Sequence, residues 1–236
     1  MTGGMETAGP ARNSRSRLSV APMPLPGPML ALPSPLSLPQ TLTASLRLTP
    51  DQFSELCAAN PDAVLELAAD GSLIAMTPTG GETGARNSNL SFELQLAVRR
   101  SGLPLKLFDS STGFRLGDGS VLSPDAAVVS LERWQTLSES QRRGFPPLCP
   151  DLVVELASPS DAGPRGLTAL RQKMAAYQAN GARLGWLLIP EQQAVEVWGP
   201  LGEPAAVPQR LAPASQIDGS SLFPGLLVDL QEIWMA

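Results

Sequence analysis

The order of strand-like and helix-like segments along this 236-residue chain predicts a mixed sheet with helices packed on it, in an α+β or α/β arrangement. Two apolar runs carry most of that prediction, one from Ser123 to Val129 and one from Pro150 to Ser158. Both are rich in Val, Leu or Ala, as buried strands are, and each contains a carboxylate where an apolar residue would pack better. A third observation is a helical stretch from about Arg165 to Asn180, set between the second run and further strands.

Taken in order, the elements justify themselves locally. Thr49-Pro50-Asp51-Gln52 is a capping box with proline at the first helical position, so a short helix opens there and ends before Pro61. Val64 to Leu67 and Leu73 to Met76 flank Asp70-Gly71, the signature of a hairpin. Gly80 to Gly84 reads as a loop. Ala85 to Ser101 contains neither Gly nor Pro and places Leu90, Leu94 and Ala97 on one helical face, although Phe92, Leu94, Leu96 and Val98 also alternate; length favours helix. Strands are expected at Leu105 to Phe108 and Phe114 to Leu116, with a hairpin turn at Asp118-Gly119. A strand then carries Asp125, a polar helical stretch runs from about Leu131 to Arg143, and a strand carries Glu155. The 165–180 helix is stopped by Gly181. Leu184 to Ile189 and Ala194 to Trp198 are two more strands, and the proline-rich remainder ends in the apolar segment Leu226 to Trp234. Residues 1–44 differ: seven prolines lie between positions 22 and 39, too many for a signal-peptide helix or a membrane span. An extended, disordered, proline-rich tail is expected there, or a start codon assigned too early, with the folded domain over residues 45–236.

Composition narrows the chemistry. The chain has no histidine, which excludes Ser-His-Asp hydrolysis, Cys-His catalysis and imidazole zinc sites. Its two cysteines, Cys57 and Cys149, lack metal-ligand spacing and suit buried thiols of a reducing cytoplasm. A net charge of −5 gives no broad attraction for polyanions, so contact with nucleic acid needs a local cluster of cations, for which Arg165, Arg171 and Arg183 are candidates. What remains is chemistry by carboxylates, lysine, hydroxyls or an oxygen-ligated metal.

The carboxylates supply it. In a strand, Val153, Glu155 and Ala157 share a face, and Asp125 meets Glu155 if it lies on the matching face of a neighbouring strand. Two buried acids there form a pocket that a divalent ion would neutralise. Mg²⁺ or Mn²⁺ takes a few carboxylate oxygens with retained waters, and the Leu156 carbonyl can complete such a set. A metal so held would polarise a phosphodiester and help generate hydroxide, with a lysine beside it to assist the attacking water. Lys173, at the edge of a helix whose buried face holds Leu170 and Met174, can reach over the sheet. Glu66 either adds a third carboxylate or belongs to an ordinary hairpin. The structural alternatives are a turn capped by Asp125, Glu155 paired with an arginine such as Arg183, and a merely solvated Lys173. Asp161 is expected to cap the following helix, and Trp186, Trp198 and Trp234 to pack in or beside the core.

Several further segments align with these: Leu65-Glu66 before Asp70-Gly71, Gly80 to Gly84, Asp109 to Phe114, Ser123-Pro124-Asp125, Pro150 to Glu155, Ser158 to Asp161, Lys173 with Tyr177, and Gly185-Trp186-Leu187. In this order and spacing, over roughly residues 46–234, the chain resembles the Uma-type family of restriction-endonuclease-like proteins in the PD-(D/E)XK nuclease superfamily. The resemblance implies an α+β, restriction-endonuclease-like mixed sheet flanked by helices, a divalent metal and a DNA substrate. It points to Asp125, Glu155, Lys173 and Glu66 as the catalytic set and to Asp125, Glu155 and Leu156 as the metal site. The chain departs from the superfamily pattern at Ala157, where a lysine or another polar residue is usual; Lys173 is the substitute from the next helix. A nuclease fold without catalysis, acting as a binding or assembly module, is the rival expectation, and a homodimer through Leu226 to Trp234 is a third. No membrane partner is expected, and a cytoplasmic location is.

Overall fold

The computed structural model describes Met1 and residues 47–161, 164–199 and 208–236; the proline-rich tail expected over residues 1–44 lies outside the described residues except for Met1. The first helix, α1 (Pro50–Ala59), opens on the expected capping box, with Thr49 and Gln52 exchanging side-chain and backbone hydrogen bonds. Strands β1 (Val64–Leu67) and β2 (Leu73–Met76) form the hairpin, turned at Gly71, whose φ of 83° only glycine adopts without strain. Helix α2 spans Gly81–Ser101. Here the structure corrects the sequence: the Gly80–Gly84 segment is not a loop but the N-cap and first turn of α2. Glycine's poor helix propensity is overridden because the later turns bury Leu90, Leu94, Ala97 and Val98.

The chain continues through β3 (Leu105–Asp109), β4 (Phe114–Arg115), β5 (Val121–Leu122) and β6 (Ala126–Ser130). The polar stretch that follows is two helices rather than one, α3 (Leu131–Thr136) and α4 (Glu139–Arg143). Ser138 interrupts them because it caps α4 through its own capping box with Gln141. Then come β7 (Leu152–Leu156), α5 (Pro164–Ala179), β8 (Leu184–Ile189) and β9 (Ala194–Trp198), all within a residue or two of expectation. Three short strands, β10 (Gln209–Leu211), β11 (Gln216–Asp218) and β12 (Leu227–Asp229), and helix α6 (Gln231–Met235) complete the described chain.

The fold is mixed α+β. A six-stranded sheet runs β10-β9-β8-β7-β6-β3, and its pairs are antiparallel except β7–β8, which α5 connects in parallel. A four-stranded sheet, β2-β1-β5-β4, stands beside it. Residues of β7 alternate as a strand buried on both faces must. Val153 packs with Ala127, Leu187, Met174 and Tyr177 beneath α5, while Leu152, Val154 and Leu156 pack with Leu90 and Leu94 of α2 on the other side. Gly185, inside a central strand, leaves room for the terminal methyl of Met174 from α5, which a Cβ there would displace, and for Trp198 on β9.

In the C-terminal segment Leu226, Val228, Leu230 and Ile233 are buried in the chain's own core, against α2, while Leu227 and Met235 are exposed. Trp186 and Trp198 are core residues as expected, and Trp234 packs against the core with its indole N–H donating to the Ala214 carbonyl at 2.6 Å. Among the described residues no helix is long and apolar enough to cross a membrane.

Candidate active site

Asp125 immediately precedes β6, and the antiparallel register of β6 with β7 pairs Ala126 with Val154. One step further, that register sets Asp125 opposite Glu155 on neighbouring strands. Parity agrees: Ala127 and Val129 of β6 belong with Val153 to the apolar cluster under α5, so the acids two residues from Ala127 and Val153 face the same side. Asp125 accepts a hydrogen bond from the Leu156 N–H at 2.8 Å. Glu155, 3% exposed, is reached by two side chains of α5: the Tyr177 hydroxyl donates to its Oε1 at 3.1 Å, and Lys173 Nζ lies 3.0 Å from the same oxygen. Lys173 and Tyr177 are one helical turn apart, so a single helix face delivers both.

Glu66 completes the group. It projects from β1, is buried, lies 2.9 Å from Lys173 Nζ and accepts from the Ser123 N–H at 2.7 Å. Lys173 in turn donates to the Ser123 carbonyl at 3.0 Å. The Ser123-Pro124-Asp125 segment, which joins β5 to β6, is thereby gripped on both sides of one residue. The four residues expected in the site, Glu66, Asp125, Glu155 and Lys173, are brought together.

Electrostatics follow from burial. Three carboxyl groups meet one ammonium in an apolar setting, so full ionisation leaves two negative charges uncompensated. Burial pushes Glu155 up from 4.5 to about 8; Lys173 pulls it down, while Asp125 and Glu66 push it further up. Burial raises Asp125 as well, against the lowering effect of its bond from Leu156. For Lys173 burial acts downward, but Glu155 and Glu66 outweigh it and hold the ammonium above the ordinary lysine range. Tyr177 is raised well above its ordinary value, by burial first and by Glu155 next, so its hydroxyl remains a donor.

Neighbouring polar residues do structural work instead. Asp151 of the second Pro-Asp pair takes the Ser130 N–H at 2.8 Å and Arg133 at 2.8 Å, which fixes α3. Arg171 forks onto buried Glu196 of β9 at 2.5 and 3.0 Å, so it is committed to the fold and not free for phosphate. Arg183 is not the partner of Glu155; it lies over the Phe223 ring. The Asp161 carboxylate turns back to accept from the Ser158 N–H and hydroxyl at 3.0 and 2.5 Å. Ala157, just past β7, uses its N–H for the Leu188 carbonyl at 2.8 Å, and Lys173 of α5 stands 3.0 Å from Glu155.

The donors suit a hard divalent cation by chemistry and charge: carboxylate oxygens on Asp125 and Glu155, the Leu156 carbonyl as an expected third donor, and a surplus of negative charge. Against this, Lys173 Nζ occupies the space between Glu66 and Glu155, and among the described residues no three Asp, Glu or Cys side chains are grouped to hold a metal. A groove of about 450 Å³ between the β1–β2 hairpin and α5 leads to Glu66 and Lys173. The sequence named Tyr177 only as a companion of Lys173, and did not single out Asn87 at all. Asn87 lies on α2, and its side chain acts to lower the Asp125 carboxyl against the effect of burial. The signal for it was the same as for Glu155, a polar residue within an apolar stripe, here Thr83, Asn87, Leu90 and Leu94.

Comparison with known proteins agrees with this architecture. The family model described as "Uma2: Putative restriction endonuclease" matches residues 50–231. A crystal structure described as a "putative nuclease belonging to DUF820" from Anabaena variabilis is similar in fold, with a TM-score of 0.61 and 21% identity, over 80% of this chain and 98% of that one. No curated protein matches.

Proposed function

We propose, from the premise that this chain belongs to the Uma2 family, that it is a metal-dependent endonuclease hydrolysing phosphodiester bonds of DNA. The observation that supports this best is the buried excess of carboxylates over ammonium at Glu66, Asp125, Glu155 and Lys173. Asp125 and Glu155, with the Leu156 carbonyl, would hold Mg²⁺ or Mn²⁺. The ion supplies Lewis-acid polarisation of the phosphodiester and acidifies water when bound. The remaining roles belong to the chain. Lys173 Nζ, anchored by Glu66 and the Ser123 carbonyl, stands where it can orient the attacking water and stabilise charge on a phosphoryl oxygen. Tyr177 holds the Glu155 carboxyl in one rotamer. Glu66 fixes the Ser123–Asp125 segment and the lysine together. Supercoiled plasmid incubated with Mg²⁺ or Mn²⁺ should be nicked by the wild type and not by Glu155→Ala; equal background cleavage by both proteins rejects the proposal.

A second function, a binding or assembly module without catalysis, is favoured by Ala157 and by the way Lys173 already bridges Glu66 and Glu155. Calorimetry separates the two. Heat of Mn²⁺ binding that disappears in Glu155→Gln supports the nuclease, and no binding near neutral pH supports the module.

A further inference from the structure

We propose that the cavity between α1, α3 and the loop after β3 holds a nucleotide of single-stranded DNA, its base against Phe108, Trp134 and Phe145 and its phosphates on Arg142 and Arg143. The choice of DNA rests on the nuclease reading above. The cavity measures about 570 Å³, and none of Glu66, Asp125, Glu155 or Lys173 lines it. Its walls carry three aromatic rings and two arginines but no carboxylate, in a chain whose acids outnumber its bases 22 to 17. Its polar groups are left open. Among the described residues the Arg142 guanidinium, the Trp134 indole N–H and the Thr112 hydroxyl, all on the cavity wall, have no hydrogen-bond or ion-pair partner. Arg143 is tied only to Glu139, both of them exposed, and a surface pair of this kind is weak enough to be exchanged for phosphate. A nucleotide matches this set: phosphate oxygens for the guanidinium groups, a base edge for the N–H and hydroxyl, and a flat π-face for the rings.

The lining follows from the local sequence. Asp109 accepts from the N–H and the hydroxyl of Ser111 at 3.1 and 2.6 Å and so turns the chain out of β3. Gly113 follows, and the Phe145 ring lies against its backbone, 2.9 Å from where a Cβ would stand. Phe145 packs in turn on Phe53 of α1 with ring centres 5.6 Å apart, and Phe108 on Trp134 at 4.9 Å, so the rings are fixed before any base arrives. Lys106, 5.5 Å from the Trp134 ring centre, adds a third cation beside them. In the register of β3 with β6, Asp109 stands opposite Ala126, the neighbour of Asp125. The loop that walls the cavity therefore leaves the sheet at the strand end that carries Asp125, and β3 lies two strand spacings, about 10 Å, from β7. This gives a use to the Asp109–Phe114 segment, which the carboxylate site leaves idle.

The test is fluorescence anisotropy of a labelled oligo(dT) of about 12 nucleotides with the full chain in EDTA, so that neither metal nor cleavage enters. The paired change Arg142→Ala, Arg143→Ala should weaken binding about 10-fold and reduce the salt slope by about 1.4, twice the single-strand value per phosphate. The paired change Arg99→Ala, Arg100→Ala on α2 removes the same charge outside the cavity and should cost less than about threefold at ordinary ionic strength. Binding should quench tryptophan fluorescence in the wild type and no longer do so in Trp134→Phe, which keeps a ring in place. Equal losses from the two arginine pairs, binding of an abasic chain as tight as that of oligo(dT), or quenching that persists in Trp134→Phe each overturns the proposal. So does a wild type that does not bind oligo(dT). Plasmid nicking is read separately. Nicking by a protein whose oligo(dT) affinity ignores Arg142 and Arg143 removes the cavity and keeps the nuclease; binding through the cavity by a protein that never nicks does the reverse.

Discussion

Glu155 keeps its proton to about pH 8 because burial and two neighbouring carboxyl groups outweigh one ammonium, and that single fact sets how the site responds to pH. Its folded-state value lies above the ordinary 4.5, so the folded protein binds the proton more tightly than the unfolded chain does. The stabilisation from this group is complete below about pH 4.5 and is lost as pH rises through about 8. Lys173 is shifted upward as well, so its own contribution persists below its ordinary value of 10.5 and is lost only above it. Replacing Lys173 by Met removes the cation 2.9 Å from Glu66 and 3.0 Å from Glu155 and leaves two buried acids facing one another. Breaking a buried pair in this way costs about 3–5 kcal/mol. The cost should be smallest near pH 5, where Glu155 carries its proton, and should grow toward pH 9. Urea unfolding of both proteins at four pH values checks this. Wild-type stability should fall from pH 5 to 9 and the gap to Lys173→Met should widen; parallel curves would mean that Glu155 and Lys173 do not share a buried site.

At the scale of elements, α5 is the part that makes the site, and it is pinned from two sides. Lys173 reaches toward β1 and β7, and Arg171, two residues earlier, forks onto Glu196 of β9. Truncating Arg171 to Ala leaves Glu196 buried with only Arg210 at 3.6 Å. Because the guanidinium is partly exposed and screened, the loss should be about 1–2 kcal/mol. Urea melts of Arg171→Ala, Glu196→Gln and the double variant should show the second change costing much less once the first is made; additive losses would show that the fork does not hold the helix. These elements were legible in the sequence to very different degrees. The hairpin, the capping box before α1 and strands β7 to β9 follow from turn residues, caps and β-branched runs, all of them local signals. The start of α2 was not legible, because its glycines favour a loop and only packing of Leu90 and Leu94 beneath the sheet makes them helical. The three-residue strands β10 to β12 carry no period to read; β10 is placed by pairing with β9, and β12 by packing against distant α2. At the site, Glu66, Asp125 and Glu155 announced themselves as acids in or beside apolar strands. That Lys173 would bridge Glu66 and Glu155 is a consequence of tertiary geometry.

For the whole molecule the balance of charge decides how tightly the proposed DNA substrate can be held. There are 22 acidic and 17 basic residues, and many cations of the folded domain are already spent: Arg47, Arg86, Arg115, Arg133, Arg143, Arg171, Arg210 and Lys173 lie in ion pairs. Lys106 and Arg183 sit over aromatic rings. Among the described residues Arg99, Arg100, Arg142 and Arg165 remain without an ion pair. Each phosphate neutralised contributes about −0.9 to the slope of log affinity against log salt on duplex DNA. Four free arginines therefore predict a shallow slope, about −2 to −4, and weak binding at physiological ionic strength. Above about pH 8, where Glu155 has given up its proton, the acidic pocket repels the same backbone, so affinity should rise there when the pocket is neutralised, either by Mn²⁺ or by the double change Glu66→Gln, Glu155→Gln. Fluorescence anisotropy on a labelled duplex gives both results. Titration from 25 to 200 mM NaCl in Ca²⁺ or EDTA measures the slope without cleavage, and the neutralised double variant should bind more tightly than wild type in EDTA above about pH 8. A slope steeper than about −6 would demand a basic surface that the described fold does not possess. Binding that is indifferent to the two glutamates would separate the DNA path from the carboxylate cluster altogether.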